Sequence, residues 1–204
     1  MRLPVRQPRG HRLPSSARLA RPTGLAVIAM GVSGSGKSTL GALLAQRLDC
    51  PFLEGDDFHD ARAVAKMRAG KPLDDDDRWP WLDRLGAAIG ETLASGGAVV
   101  AACSALRLRY RQRLREAIPV PTRFVLLDAG YDELLRRLSQ RSGHYMPTSL
   151  LDSQLATLER PDADEMVFTL DAVEPPERLC DIAHAWLRTP TPLANLGHQP
   201  LSSA

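Results

Sequence analysis

The sequence predicts an α/β protein with a mainly parallel sheet of five strands and helices on both faces. Three observations carry this prediction. Short, continuously apolar runs recur along the chain, as strands buried on both faces require. Stretches of helical length and pattern separate them, the alternation that parallel strands need for their crossovers. The first apolar run passes through glycines into a helical stretch, which marks the carboxyl edge of the sheet as the place for a ligand.

In chain order the strands fall at LAVIAMGV (25–32), PFLEGD (51–56, the weakest), GAVVAAC (97–103), TRFVLLD (122–128) and MVFTLD (166–171). Helices fall at about 38–49, 80–95, 106–117, 130–141, 150–159 and 176–188. Residues 1–24 mix arginine, proline and serine without apolar periodicity and are expected to be disordered, as is the tail 190–204. An organelle-targeting role for residues 1–24 is opposed by the scattered prolines. Residues 25–189, in a chain that is 44% hydrophobic, then read as one domain of moderate size.

Arg2, Arg6, Arg9, Arg12, Arg18 and Arg21 lie in the first segment without an acid, and removing those six from the formal charge of +2 leaves a remainder of about −4. The body is therefore mildly acidic, which argues against a nucleic-acid partner outside the tail. Cys50, Cys103 and Cys180 are too few and too scattered for a disulfide framework or a metal clip, so a cytoplasmic location is expected. No apolar run approaches the length that spans a bilayer, and no membrane partner is expected.

The first strand leads directly into GVSGSGKS, which meets the phosphate-loop pattern GxxxxGK[ST] at every fixed position and in the confirming context of strand before and helix after. Its residues Gly31, Val32, Ser33, Gly34, Ser35, Gly36, Lys37 and Ser38, with Thr39, are the expected ATP-binding set. Glycines let backbone N–H groups and the helix N-terminus converge on an anion. Lys37 can reach the β and γ phosphates, and Ser38 can ligate Mg²⁺. Many such proteins carry a second acid at the end of a core strand, but here the third strand ends in Cys103 and Ser104. The available acid is Asp56, in EGDDFH on the same edge, placed to accept the proton of an attacking hydroxyl or to hold a metal-bound water. Asp57 is expected to point elsewhere, as a helix cap. Cys103 reads as a buried strand end, because phosphoryl transfer needs no thiol nucleophile.

GVSGSGKS, EGDDFH, KMRAGKPL, DDDDRWPWL, CSALRLRYRQRLR and RSGHYMPTSLLDSQLATLE occur in this order, and together the chain from about 25 to 188 resembles the gluconokinase family, small P-loop kinases related in shape to shikimate and adenylate kinases. The resemblance implies ATP-dependent phosphorylation of D-gluconate at its 6-hydroxyl, giving 6-phosphogluconate and ADP. It also implies a homodimer. A substrate-binding segment is expected at about 56–96 and a lid at about 141–152.

A sugar acid calls for hydrogen-bonding groups and fixed positive charge, and His59, Lys66, Arg78, Arg107 and Gln154 are the candidates. Each has a plainer alternative. Arg78 binds the substrate carboxylate or is held by Asp77, with substrate contact slightly favoured. His59 touches substrate or is a helix-start residue with a satisfied imidazole. Lys66 is otherwise a solvated helix residue, and Gln154 an ordinary helix-surface residue. Arg107 and Arg111 share a helix face with Tyr110 nearby, a pattern more often solvated than binding. Arg137 and Arg141, one turn apart, are candidates for bringing guanidinium charge onto the transferring phosphoryl group when a lid closes. The adenine site is expected near the loop after Asp171.

The aspartate run 74–77 is a poor metal cage, because adjacent carboxylates cannot all converge on one ion. Asp75 and Asp77 match the family pattern LxDxDRxPWL, leaving Asp74 and Asp76 as solvated spacers, Asp77 as a helix-start carboxylate, and Trp81 and Leu82 packed behind the wall. The chain departs from the family's HPxxNxxKM at Asp60 and Ala63, and from YRD at Gln112. Two other functions therefore stay open: a kinase for another small acceptor, or a nucleotide-dependent binding module that contacts nucleic acid through its arginine tail.

Overall fold

A computed structural model describes residues 24–140 and 149–189. Strands β1 (Leu25–Met30), β2 (Phe52–Glu54), β3 (Ala98–Ala102), β4 (Thr122–Asp128) and β5 (Val167–Asp171) form one sheet in the order β2-β3-β1-β4-β5. All four pairings are parallel. The helices are α1 (Lys37–Leu48), α2 (Ala61–Arg68), α3 (Asp75–Gly96), α4 (Leu108–Ala117), α5 (Tyr131–Ser139), α6 (Ser149–Thr157) and α7 (Pro176–Leu187).

β1 and β3 are apolar throughout, and β4 through its middle, because both sheet faces are covered there. Ala26, Ile28 and Met30 of β1 join Trp81, Leu85, Ile89, Tyr110 and Leu114 of α3 and α4 on one face. Val27, with Val100 and Val125 of the neighbouring strands, joins Leu40, Leu44, Leu179 and Ala183 of α1 and α7 on the other. The two-residue period of a strand makes this division. Arg123 of β4 is buried yet satisfied, since it donates to the carbonyls of Trp186, Leu187 and Thr189 at the end of α7, where helix carbonyls lack partners. With β3 on one side of β1 and β4 on the other, the carboxyl end of β1 opens into the crevice where such sheets take ligands.

Two helices differ from expectation. α2 lies in a stretch assigned to no helix; Asp60 caps it by accepting from the Ala63 N–H at 2.8 Å, and Gly70 (φ 70°) follows its end. Its apolar face is only Ala63 and Met67, too little for a periodicity signal. α3 starts at Asp75 instead of 80, because Asp74 is the N-cap in a capping box with Asp77. Pro80 therefore stands in the second turn and forgoes the bond to the Asp76 carbonyl. Among the described residues no helix is long and apolar enough to cross a membrane.

Candidate functional site

The turn after β1 is built on glycine geometry. Gly31, Gly34 and Gly36 hold φ values of 141°, 82° and 98°, which side chains rarely adopt, and at Gly31 an added Cβ would also lie 2.7 Å from the Leu127 carbonyl oxygen. Val32 is buried with Leu106, Leu134 and Leu151 and offers the loop its carbonyl, which accepts from Lys37 Nζ at 3.0 Å. Ser33, Gly34, Ser35, Gly36, Lys37, Ser38 and Thr39 line a cavity of about 570 Å³ that runs to Ala172, Glu174, Pro176 and Leu179. Those four follow β5, in the region where the sequence places the adenine end without naming residues. Arg137 also lines this cavity, tied to Glu133 at 2.6 Å and to the Ala172 carbonyl at 2.6 Å.

A second, smaller cavity of about 50 Å³ adjoins the first, and Ser33, Lys37 and Asp56 line both. Asp56 leaves β2 in a 3-10 turn, Gly55–Phe58, pressed so closely to β3 that a Cβ at Gly55 would sit 2.1 Å from the Ala102 carbonyl oxygen. The Gly55 carbonyl accepts from the Trp81 indole N–H at 2.7 Å, which joins this turn to α3. Asp57 also lines the larger cavity, so the expectation that it points away is corrected; only Asp56 of the pair reaches both spaces.

His59 and Arg78 converge on the smaller cavity with Met67, Ser104, Ser153 and Gln154. The imidazole is not the satisfied one the plainer alternative required. Its ring stacks on Trp81, its Nδ1 is buried without a hydrogen-bond partner among the described residues, and its Nε2 lies 3.9 Å from an Asp56 carboxylate oxygen. Burial pushes its pKa down to about 4, opposed by Asp56 and assisted by Arg78 and Arg84, so the ring is neutral near pH 7. Gln154 of α6 accepts from the Ser33 N–H at 2.6 Å, tying that helix to the phosphate loop. Burial pushes the Cys103 thiol up to about 12, consistent with an inert strand end.

Two candidates are elsewhere. Lys66 lines neither cavity; it pairs with Asp74 at 2.8 Å and with Asp77, pinning α2 to the start of α3. Arg107 also lines neither, standing at the N-terminus of α4 at 3.8 Å from Asp75. Its helix neighbour Arg111 is wholly buried in a bidentate pair with Glu165 at 2.6 and 2.7 Å, so the basic face is structural. Of the aspartates, only Asp76 is a plain exposed spacer; Asp74 caps α3, and Asp75 accepts from the Tyr110 hydroxyl. Arg141 and most of the expected lid lie outside the described residues. The departures at 60 and 112 are absorbed structurally, the first as a helix cap and the second on the exposed face of α4.

Residues 27–161 match the AAA domain family. The chain is 44% identical over 142 residues to the thermosensitive gluconokinase of Escherichia coli (strain K12), covering 70% of this chain and 75% of that protein. It is 45% identical over 151 residues to the gluconokinase of Gluconobacter oxydans (strain 621H), covering 74% and 84%. The solved structure of a gluconokinase from Sinorhizobium meliloti 1021 superposes with a TM-score of 0.70 at 46% identity, over 82% of this chain and 93% of that one. With a glycine loop, two adjoining cavities and relatives so similar over most of their length, this chain belongs to the gluconokinase family.

Proposed function

We propose that this protein transfers the γ-phosphoryl group of ATP to the 6-hydroxyl of D-gluconate, giving 6-phospho-D-gluconate and ADP. The observation that carries the reading is the sharing of Ser33, Lys37 and Asp56 between the two cavities. Phosphoryl transfer needs donor and acceptor to meet in line at one opening, with a cation and a proton acceptor beside it.

In the larger cavity the loop N–H groups and the start of α1 receive the phosphates, and Lys37 leaves the Val32 carbonyl for their oxygens. Adenine lies toward Ala172, Pro176 and Leu179, with Arg137 on the same wall. Mg²⁺ fits at Ser38 with the phosphates, since this ion keeps most of its waters and asks for few protein ligands. When bound, it neutralises charge on the phosphate oxygens.

In the smaller cavity Arg78 binds the gluconate carboxylate, and His59 and Gln154 meet hydroxyls. As the O6–P bond forms and the bond to the ADP oxygen breaks, the hydroxyl proton passes to Asp56. Leu150, Ser153 and Gln154 of α6 line the same cavity, so this helix forms one wall of the acceptor site. Arg141, one turn after Arg137, is proposed to bring its guanidinium onto the transferring phosphoryl group as the lid closes. The three free cysteines accord with a reducing cytoplasm.

A coupled ADP-release assay over a panel of sugar acids and polyols tests the reading. Gluconate should be turned over best; no gluconate turnover alongside activity on another acceptor would overturn it. Lys37→Ala should abolish transfer, and Asp56→Asn should lower kcat by roughly 10²- to 10⁴-fold with little change in the KM for ATP.

A further inference from the structure

We infer that Tyr110, which lines neither cavity, is a positioning residue for the acceptor: its ring face holds the guanidinium of Arg78 in place for a carboxylate, and Asp75 holds the ring. The inference rests on the reading of Arg78 as the partner of the gluconate carboxylate.

Arg78 is only 8% exposed and lines the smaller cavity, and among the described residues no carboxylate lies within ion-pair distance of it. A guanidinium so far removed from water needs electron density around it. Two sources are present. The Leu73 carbonyl accepts from Nε at a long 3.4 Å, and the Tyr110 ring lies with its centroid 5.4 Å from Cζ, within cation–π range. The Leu73 bond occupies Nε and leaves the terminal amino groups for a bidentate carboxylate from the cavity.

The ring itself is immobilised. Tyr110 is 1% exposed, meets Trp79 edge-on at 5.5 Å and donates its hydroxyl to Asp75 at 2.6 Å. Asp75 also binds Arg109 at 2.6 Å and stands 3.8 Å from Arg107. Both of these cations lie beside the same ring, at 5.6 and 6.0 Å, and Asp75 offsets one of their two charges there. α4 thereby contributes to acceptor choice without reaching the acceptor.

The test compares kcat/KM for D-gluconate with that for D-glucitol, the same carbon chain with an alcohol in place of the carboxylate. Tyr110→Leu should narrow this ratio about tenfold through the gluconate KM, the scale of one desolvated cation–π contact, with the KM for ATP unchanged. Tyr110→Phe should restore most of the ratio. If Tyr110→Leu does not fold, phenylalanines of increasing fluorine content at position 110 weaken the ring face at nearly constant shape. The gluconate KM should climb with each fluorine, and a flat series overturns the inference. Arg78→Ala separates the two levels. If it abolishes the discrimination while the ring variants leave it intact, Tyr110 has no such role and the reading of Arg78 stands. If Arg78→Ala itself leaves the discrimination intact, that reading fails and the inference with it.

Discussion

His59 lies flat against Trp81, with ring centroids 4.2 Å apart and planes 16° from parallel. The contact holds the imidazole between Asp56, Asp60, Arg78 and Arg84 while denying it water, and its pKa of about 4 falls below the ordinary 6.5. Between those two values the unfolded chain binds a proton that the native chain does not, so stability should decline as pH falls from about 6.5 to about 4. Above that window the group adds no pH dependence. His59→Asn should flatten the acid limb of a plot of urea midpoint against pH; an identical limb in both proteins refutes the assignment.

The Arg111–Glu165 pair closes the core under α4, with side chains 0% and 10% exposed. Glu165→Ala leaves a buried guanidinium beside Arg115, with only the carbonyls of Ala105, Leu106 and Glu159 around it. The expected loss is about 3 kcal/mol, near the lower end for breaking a buried pair. Urea unfolding at constant m measures it, and a loss under about 1 kcal/mol would mean that the carbonyls alone satisfy Arg111.

Lys66 and Arg107 line neither cavity and face aspartates at the start of α3, so Lys66→Ala and Arg107→Ala should leave the KM for gluconate within about twofold while Lys66→Ala lowers the melting temperature modestly. A rise in KM of tenfold or more in either variant would return that residue to the acceptor site.

Gly55→Ala forces a carbon to within 2.1 Å of the Ala102 carbonyl oxygen, and the backbone must move. Asp56 is the next residue, so kcat should fall at least about tenfold alongside a stability loss of about 1 to 3 kcal/mol. Gly96→Ala is the control, since nothing lies within 4 Å of its added carbon. Wild-type kcat in Gly55→Ala would show that the turn does not set the position of Asp56.

The pattern of the chain was most legible where a residue's surroundings are imposed by its immediate neighbours in sequence. Strands buried on both faces must be apolar at consecutive positions, so β1, β3 and β4 stand out in the sequence. The phosphate loop is equally local, because positive φ and the first helical turn are properties of GVSGSGKS alone. α2 was less legible, since eight residues with two buried positions carry almost no periodic signal, although Asp60 and Gly70 bracket it as caps do.

The sequence by itself determined the order along the chain of the strands and of every helix but α2, the anion-binding turn and the short menu of charged residues available to an acceptor. Tertiary structure decided which of those charges serve the cavities. Arg111 meets a carboxylate 54 residues away, Tyr110 one 35 residues away, and Gln154 a backbone N–H 121 residues away. Lys66 is taken up by two aspartates at the start of another helix, while Arg78, one residue after the run, receives none of them. Spacing along one helix says which side chains share a face, but only packing between elements brings a distant partner within hydrogen-bonding distance, and a charge is free for a ligand only where packing supplies no partner of its own.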